Sequence, residues 1–455
     1  MESFKLSQAA KWTNGQISKD TDILTVSKDS REIPDGCLFL AINGENFDGH
    51  NYIDKAIENG AKAILSHRKD EKYSVPTLYV DDTRQGILDL AAGYKQQFDC
   101  PLVAITGSVG KTTTRGLTAS VVSQKYNTHA TKGNLNNQLG MPLTLLELNH
   151  THEAAVIEMG MSGFGEILSM AKCAKPNIAV ITNIGTAHIE FLGSREGICK
   201  AKMEILDGLY ERSGTAVLNG DEPLLWNKRN EIKADVIWFG MENPECDIKA
   251  ENIISQSDSV SFTLVYKDIK TPVKLSIAGV HNVSNALAAA AVGFRLDISP
   301  EKIAQGISEY TPDGRRQKLY NKNGFVIYED CYNASPDSMK AALAVLSSQE
   351  KGTKFAVLGS MLELGDYAKT GHIETGENAA KNADKLYLYG DYAEFMAEGA
   401  KKGGMSEQNI HVFSTHEQLA DSLKKEAKQG DVLLFKGSRS MKMEQALSLF
   451  LGEEV

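Results

Sequence analysis

Short, almost wholly apolar runs alternate along this chain with longer stretches in which apolar residues recur every three or four positions, the pattern of strands followed by helices. Up to residue 98, the runs 37–42, 63–65 and 77–80 predict strands, and 52–59 and 84–97 predict helices. A break at 97–101 precedes the apolar run 101–105. Beyond it Ala154–Glu158, residues 178–183 and Thr215–Asn219 are near-continuous apolar segments, as in parallel sheets covered on both faces by helices. From 247 to 277 the pattern turns to strict alternation, as in Val260–Tyr266, which predicts an antiparallel meander. Helices are expected over 282–294 and 300–310, the second opened by Ser299 as cap and Pro300 in the first turn.

A turn-rich segment at 311–316 leads into a regular strand-helix series with strands at 325–328, 355–358, 386–389, 410–413 and Val432–Lys436. The expected fold is therefore α/β in three domains: a small N-terminal α/β domain (1–98), a central parallel-sheet domain with the attached meander (99–312), and a C-terminal Rossmann-like domain (313–455). A chain of 455 residues is also long enough for three cores. The third domain lacks a G-x-G-x-x-G after its first strand and is not expected to bind a dinucleotide by itself. The boundaries near 98 and 312 are the expected hinges.

Chemistry enters at residues 106–114, TGSVGKTTT, directly after the strand 101–105. Gly107 and Gly110 allow consecutive backbone N–H groups to close around phosphate oxygens, Lys111 neutralises them, and the Thr112 hydroxyl suits a metal ion. Ser108, Val109 and Thr113 complete this nucleotide-binding loop. Ile105 stands where the general G-x-x-x-x-G-K-[ST] pattern has its first glycine. The variant T-G-[ST]-x-G-K-T-T is typical of ATP-dependent amide-bond ligases.

The formal net charge of -10 argues against nucleic acid as the main partner. The N-terminus lacks a basic start with an apolar core, and no stretch of about 18 apolar residues could span a bilayer. A cytoplasmic enzyme without membrane insertion is expected, and a monomer. The six cysteines, 37, 100, 173, 199, 246 and 331, show no metal spacing and read as reduced thiols packed in cores.

Three further positions lie where ligands collect, at the C-terminal ends of parallel strands or just beyond. Glu158 ends the strand after the phosphate loop. Taken alone it could cap a helix or face solvent, but its position also suits a carboxylate completing the metal shell begun by Thr112. His188 follows the strand 178–183 in the phrase TNIGTAH, where imidazole serves as a ligand or proton-transfer group. Lys200 and Lys202 follow in CKAKMEIL, read as the start of a helix. A solvated basic face is the plain alternative.

Taken together, TGSVGKTT, EMGM, TNIGTAH and AKMEI resemble the Mur ligases, the ATP-dependent enzymes that build the peptide stem of bacterial peptidoglycan, and the likeness extends over the whole chain. Asp29–Arg31, DGH at 48–50, GNLNNQLGMPLTLL at 133–146, YNASPDSM at 332–339 and KGSRSMKME at 436–444 are most similar to the branch that adds D-alanyl-D-alanine to UDP-MurNAc-tripeptide. The resemblance implies two Mg2+ ions, one held by Thr112 and Glu158 and a second by His188 and a Lys202 carbamylated by CO2. It places Asn282 near the adenine of ATP, and Asp330 and Arg315 at its ribose and phosphates. For Asn282 and Asn285 the residues alone equally allow helix capping. The motif around Asp330 departs from the family's D-D-x-Y-N-A-N-P in Glu329 and Ser335.

Ser30 and Arg31 match positions that contact the uridine diphosphate in related enzymes. Asn136 and Asn137 are candidates to orient the peptide, and Ser438 and Arg439 for the dipeptide side. The implied reaction activates the tripeptide carboxylate as an acyl phosphate, with Lys111, Glu158, His188 and Lys202 as the catalytic set, before the dipeptide amine displaces phosphate. ATP between the second and third domains and UDP on the first would require domain closure. The alternatives are another ligase of the superfamily, such as the enzyme that adds the third stem residue or a folylpolyglutamate synthase, and a P-loop nucleotide switch. The phrases at 436–439 and 134–137 oppose the first group, and the Lys202 site has no purpose in a switch.

Overall fold

The computed structural model describes residues 1–455 apart from 45, 46, 211–213, 313, 315, 454 and 455. The chain forms two compact units: Met1–Thr106 with Lys125–Val180 and Met203–Ala216, and Gly107–Gln124 with Ile181–Lys202 and Val217–Val455.

In the first unit a five-stranded sheet runs in the order Gln16–Ile17, Thr77–Tyr79, Ala63–Ser66, Cys37–Leu40, Thr25–Ser27. It is parallel except for its first pair. Phe39, Ile53, Ala56 and Ile64 make a core beneath it. The helix Thr83–Lys95 starts where Asp82 accepts hydrogen bonds from the N–H groups of Arg84 and Gln85, satisfying donors the helix leaves open. Three further strands are parallel, with Ala154–Glu158 between Leu102–Thr106 and Thr128–Ala130. Every residue of Leu102–Thr106 and Ala154–Glu158 is buried, which is why both read as unbroken apolar runs. Their register sets Glu158 beside Ile105, at the end that leads into the glycine loop.

The second unit begins with that loop and the helix Lys111–Val122, which packs on His281–Arg295 and Pro300–Glu309. Ser299 caps the latter by accepting from Lys302 N–H, with Pro300 in the first turn. Asp235–Gly240 pairs in parallel with Ile248–Ser255, and the antiparallel meander continues through Val260–Tyr266 and Ile269–Leu275. The C-terminal sheet has the order Lys318–Lys322, Phe325–Asp330, Val432–Lys436, Lys354–Gly359, Lys385–Tyr389, Ile410–Phe413, parallel but for its first strand. Helices cover both faces over two apolar cores.

Several strands were not expected, among them the short Gln16–Ile17, Thr25–Ser27 and Thr128–Ala130. Asp235–Gly240 and Lys318–Lys322 are strands whose residues are mostly half-buried or exposed, so neither shows a continuous apolar run. Residues 49–58 form a short 3-10 turn, Gly49–Tyr52, and then the helix Ile53–Glu58. All six cysteines are buried free thiols.

Candidate active site

The phosphate loop is shaped by the segment that follows the strand Ile178–Ile181. Ser108 N–H donates to the Asn183 carbonyl at 3.1 Å, Val109 N–H to Asn183 Oδ1 at 2.9 Å, and the Thr182 hydroxyl to the Val109 carbonyl at 2.7 Å. Gly110 precedes the first helical turn with φ +81°, and that turn has no side-chain cap. Lys111 folds over the loop, its ammonium donating to the Gly107 carbonyl at 2.8 Å. The Ser108 hydroxyl is buried and has no hydrogen-bond partner among the described residues. Backbone donors at a helix N-terminus, an overlying ammonium and an unspent buried hydroxyl form a cradle for a phosphate group.

Lys202 corrects the sequence expectation. The helix runs Arg195–Met203, so the lysine lies in its last turn rather than at its start. Ser194 opens it, its hydroxyl accepting from Gly197 N–H, a cap legible in the sequence once the helix is known to begin there. The Lys202 side chain is 1 % exposed. Burial, and next the nearby Lys111 charge, hold its amine well below the usual lysine pKa. Lys200 is exposed.

His188 has a left-handed backbone, φ +64°, immediately before the short helix Ile189–Leu192. Its Nδ1 lies 2.6 Å from Glu363 Oε2, and this ring is the leading cause that holds the Glu363 carboxyl below its ordinary pKa. Two residues upstream, Thr186 donates from its N–H and its hydroxyl to Asp337 Oδ2. In the first unit Glu158 is 1 % exposed and its Oε1 accepts from Asn136 Nδ2 at 2.8 Å. Burial thereby removes the solvent-facing alternative for Glu158. Asn136 is held in turn through its carbonyl, which accepts from Gly160 N–H, and Asn137 Oδ1 accepts from the N–H groups of Leu139 and Gly140 at the turn into the helix Gly140–Leu146.

Known proteins divide the chain in the same sequence order. Residues 22–95 match the model of the Mur ligase family catalytic domain, 105–293 the Mur ligase middle domain, and 314–439 the Mur ligase glutamate ligase domain. The UDP-N-acetylmuramoyl-tripeptide--D-alanyl-D-alanine ligase of Bacillus subtilis is 40% identical over 434 residues, 94% of this chain and 93% of that one. The chain belongs to the Mur ligase family.

Among solved structures, MurF from Acinetobacter baumannii superposes on this Mur ligase with a TM-score of 0.93 at 32% identity, covering 100% of both chains. MurF from Thermotoga maritima in complex with ADP gives 0.85 at 31% identity, over 94% of this chain and 97% of that one. The three-domain α/β architecture is that of the family.

The remaining expected residues of this Mur ligase fall into two groups. Asp330 and Lys436 are register partners at the ends of adjacent parallel strands, with Lys436 Nζ 2.6 Å from Asp330 Oδ2. Gln317 links them to Asn282: its N–H donates to Asp330 Oδ1 and its Oε1 accepts from Asn282 Nδ2 at 2.9 Å. Asn282 Oδ1 accepts from Asn285, Asn285 Oδ1 accepts from the Thr114 hydroxyl, and neither asparagine caps the helix His281–Arg295. Ser335 caps the helix Pro336–Ser347 in place of the family's asparagine. Arg315 lies outside the described residues.

Ser438 is buried, and its hydroxyl accepts from Leu362 N–H at 2.9 Å, whereas Arg439 is exposed and pairs with Glu444. In the N-terminal part Ser30 is buried, its carbonyl accepting from Asn59. Arg31 is exposed and bound to Asp29 through Nε and a terminal nitrogen. Sequence reasoning passed over Thr182, Asn183, Gln317 and Glu363. Only the first two carried a signal, as the polar pair opening TNIGTAH.

One neighbouring group makes the frame of this site sensitive to pH. His372 accepts from Met361 N–H at Nε2 and sets Nδ1 2.6 Å from the Ala368 carbonyl, which only a neutral ring protonated on Nδ1 can satisfy. Burial lowers its pKa, so the folded value lies below the unfolded one. Its contribution is complete above about pH 6.5 and is lost as pH falls below that. Thermal melts of wild type between about pH 7 and about pH 5 should therefore fall more steeply than those of His372→Gln. Parallel slopes would exclude this role.

Proposed function

We propose that this Mur ligase joins D-alanyl-D-alanine to UDP-MurNAc-tripeptide at the cost of ATP, giving the pentapeptide precursor of peptidoglycan. The observation that carries the reading is the phosphate cradle of Ser108, Lys111 and the helix Lys111–Val122, in a chain alike from end to end to ligases named for that reaction. Such a cradle holds ATP by its phosphates. The tripeptide carboxylate attacks the γ-phosphorus, forming the acyl phosphate and releasing ADP. The dipeptide amine then attacks the acyl carbon, losing a proton as the amide forms and phosphate leaves. Lys111 offsets the charge brought together in the first step, and the fixed loop amides are aimed before reaction begins.

The donor chemistry suits Mg2+, which takes hard oxygen ligands beside phosphates. Thr112 offers a hydroxyl in the first turn of its helix, and Glu158 a buried carboxylate oriented by Asn136. We assign these two to one ion, and His188 with a carbamylated Lys202 to a second. Mg2+ supplies charge stabilisation at the phosphoryl group. Among the described residues no cluster of three or more His, Cys, Asp or Glu could hold a metal, and a mixed set with a hydroxyl and a carbamate would not form one. Asn282 and Asp330 are assigned to the nucleoside, with Arg315 at the phosphates. Ser30 and Arg31 are assigned to the UDP moiety, Asn136 and Asn137 to the peptide, and Ser438 and Arg439 to the dipeptide.

The domain limits 1–98, 99–312 and 313–455 are supported by the spacing of the three family matches. No helix among the described residues is long and apolar enough to cross a membrane. A cytoplasmic monomer fits substrates made where ATP is made. Phosphate release from ATP and Mg2+ is expected only with UDP-MurNAc-tripeptide and D-alanyl-D-alanine together, with a product whose mass is that of the pentapeptide. Release indifferent to both would defeat the assignment.

A further inference from the structure

The loop bearing His188 is gripped by two carboxylates from the C-terminal part of the second unit. Asp337 takes both donors of Thr186, and Glu363 brings Oε2 to 2.6 Å from His188 Nδ1, close enough to pair although the buried nitrogen is not aligned for a hydrogen bond among the described residues. The Glu363 carbonyl also accepts from Glu190 N–H. His188 and Glu363 are both non-glycine residues in left-handed backbone, φ +64° and +61°, a conformation that persists only where surroundings enforce it.

The segment that presents Glu363 is fixed without help from His188. Ser438 N–H donates to the Ser360 carbonyl, the Ser438 hydroxyl accepts from Leu362 N–H, and His372 accepts from Met361 N–H. Three successive residues before Glu363 are thus tied to other elements. Of the two nitrogens of His188, the one facing this frame is Nδ1. An imidazole that ligates a cation through one nitrogen commonly donates the other N–H to a carboxylate, which fixes tautomer and ring plane.

We propose that Glu363 is a positioning residue for His188: its carboxylate accepts the Nδ1 proton and leaves the Nε2 lone pair for a divalent cation. The proposal rests on the reading of His188 as a metal ligand. It gives the Ser360–Glu363 segment a purpose that Ser438 serves indirectly, since its hydroxyl is committed to Leu362. A half-exposed ion pair formed only in passing would leave metal affinity untouched.

The test uses the full chain labelled with 15N-histidine, as wild type, Glu363→Gln, Glu363→Ala and His188→Ala. Mn2+ binding in the presence of ADP is followed by electron paramagnetic resonance, and the His188 tautomer by 15N–1H correlation. Wild type should carry its proton on Nδ1. Glu363→Ala should lose that preference and bind Mn2+ on the order of 10–100-fold more weakly. Glu363→Gln, which keeps an acceptor oxygen, should fall between and provides the reading if the alanine variant does not fold. In turnover the apparent metal KM should rise by the same factor, with a smaller change in kcat. An unchanged tautomer and Mn2+ affinity in a folded Glu363→Ala, while His188→Ala binds weakly, would overturn the positioning role alone. Unchanged affinity in His188→Ala would overturn the metal reading of His188 and this proposal with it.

Discussion

Replacing Lys202 with alanine is expected to lower kcat by on the order of 10³, with part of the activity returning in the presence of acetate or formate. The expectation begins with burial: the side chain is 1 % exposed. A buried ammonium is costly, so burial favours the neutral amine. Lys111 adds to that pressure by repulsion. A neutral amine can add CO2, forming an N–C bond and releasing a proton, and the resulting carbamate is an anion that the Lys111 charge favours rather than repels. Alanine removes that oxygen ligand but leaves a space a small carboxylate can enter. The factor of 10³ corresponds to about 4 kcal/mol, the scale of one charge-stabilising element in an active site. With 13C-labelled bicarbonate, wild type should show a carbamate carbon resonance that the variant lacks. Full activity in the variant would remove the second ion from the reading.

Legibility in the sequence followed burial and distance along the chain. Ala154–Glu158 could be read because both faces of the strand are covered, which forces an unbroken apolar run. Lys318–Lys322 could not, because it lies at a sheet edge with polar residues on its open side. The phosphate loop was legible because its chemistry and its backbone demands coincide within nine residues. Asn136 read as a substrate contact, yet its amide holds Glu158. An asparagine in a loop serves either use, and only the fold brings residues 136 and 158 together. Glu363 lies 175 positions beyond His188, and no local pattern marks a pair closed by tertiary structure. The start of the Lys202 helix was missed because its cap, Ser194, stands before a charged turn rather than an apolar run.

Gly107→Ala should reduce kcat/KM for ATP by on the order of 10² to 10³ while the protein remains folded. Gly107 has φ +153°, and a Cβ added there would lie 1.8 Å from Thr182 Oγ1 and 3.0 Å from Thr182 Cβ. No rotation of the new methyl relieves such an overlap, so the loop or the end of the strand Ile178–Ile181 must move. That displacement strains three bonds at once: Thr182 hydroxyl to Val109, and the Ser108 and Val109 N–H groups to Asn183. At about 1 kcal/mol each they set the lower part of the range, and misaimed phosphate donors add the rest. Thr182→Ala alone breaks only the first bond and should cost about fivefold. The double variant Gly107→Ala/Thr182→Ala separates the causes, because it removes the colliding oxygen while keeping the methyl. If the collision is the fault, the pair should be less impaired than Gly107→Ala by itself, a coupling of opposite sign to simple addition. Additive losses would instead assign the defect to the backbone conformation at 107, and the role of Thr182 as the wall of the phosphate loop would fall.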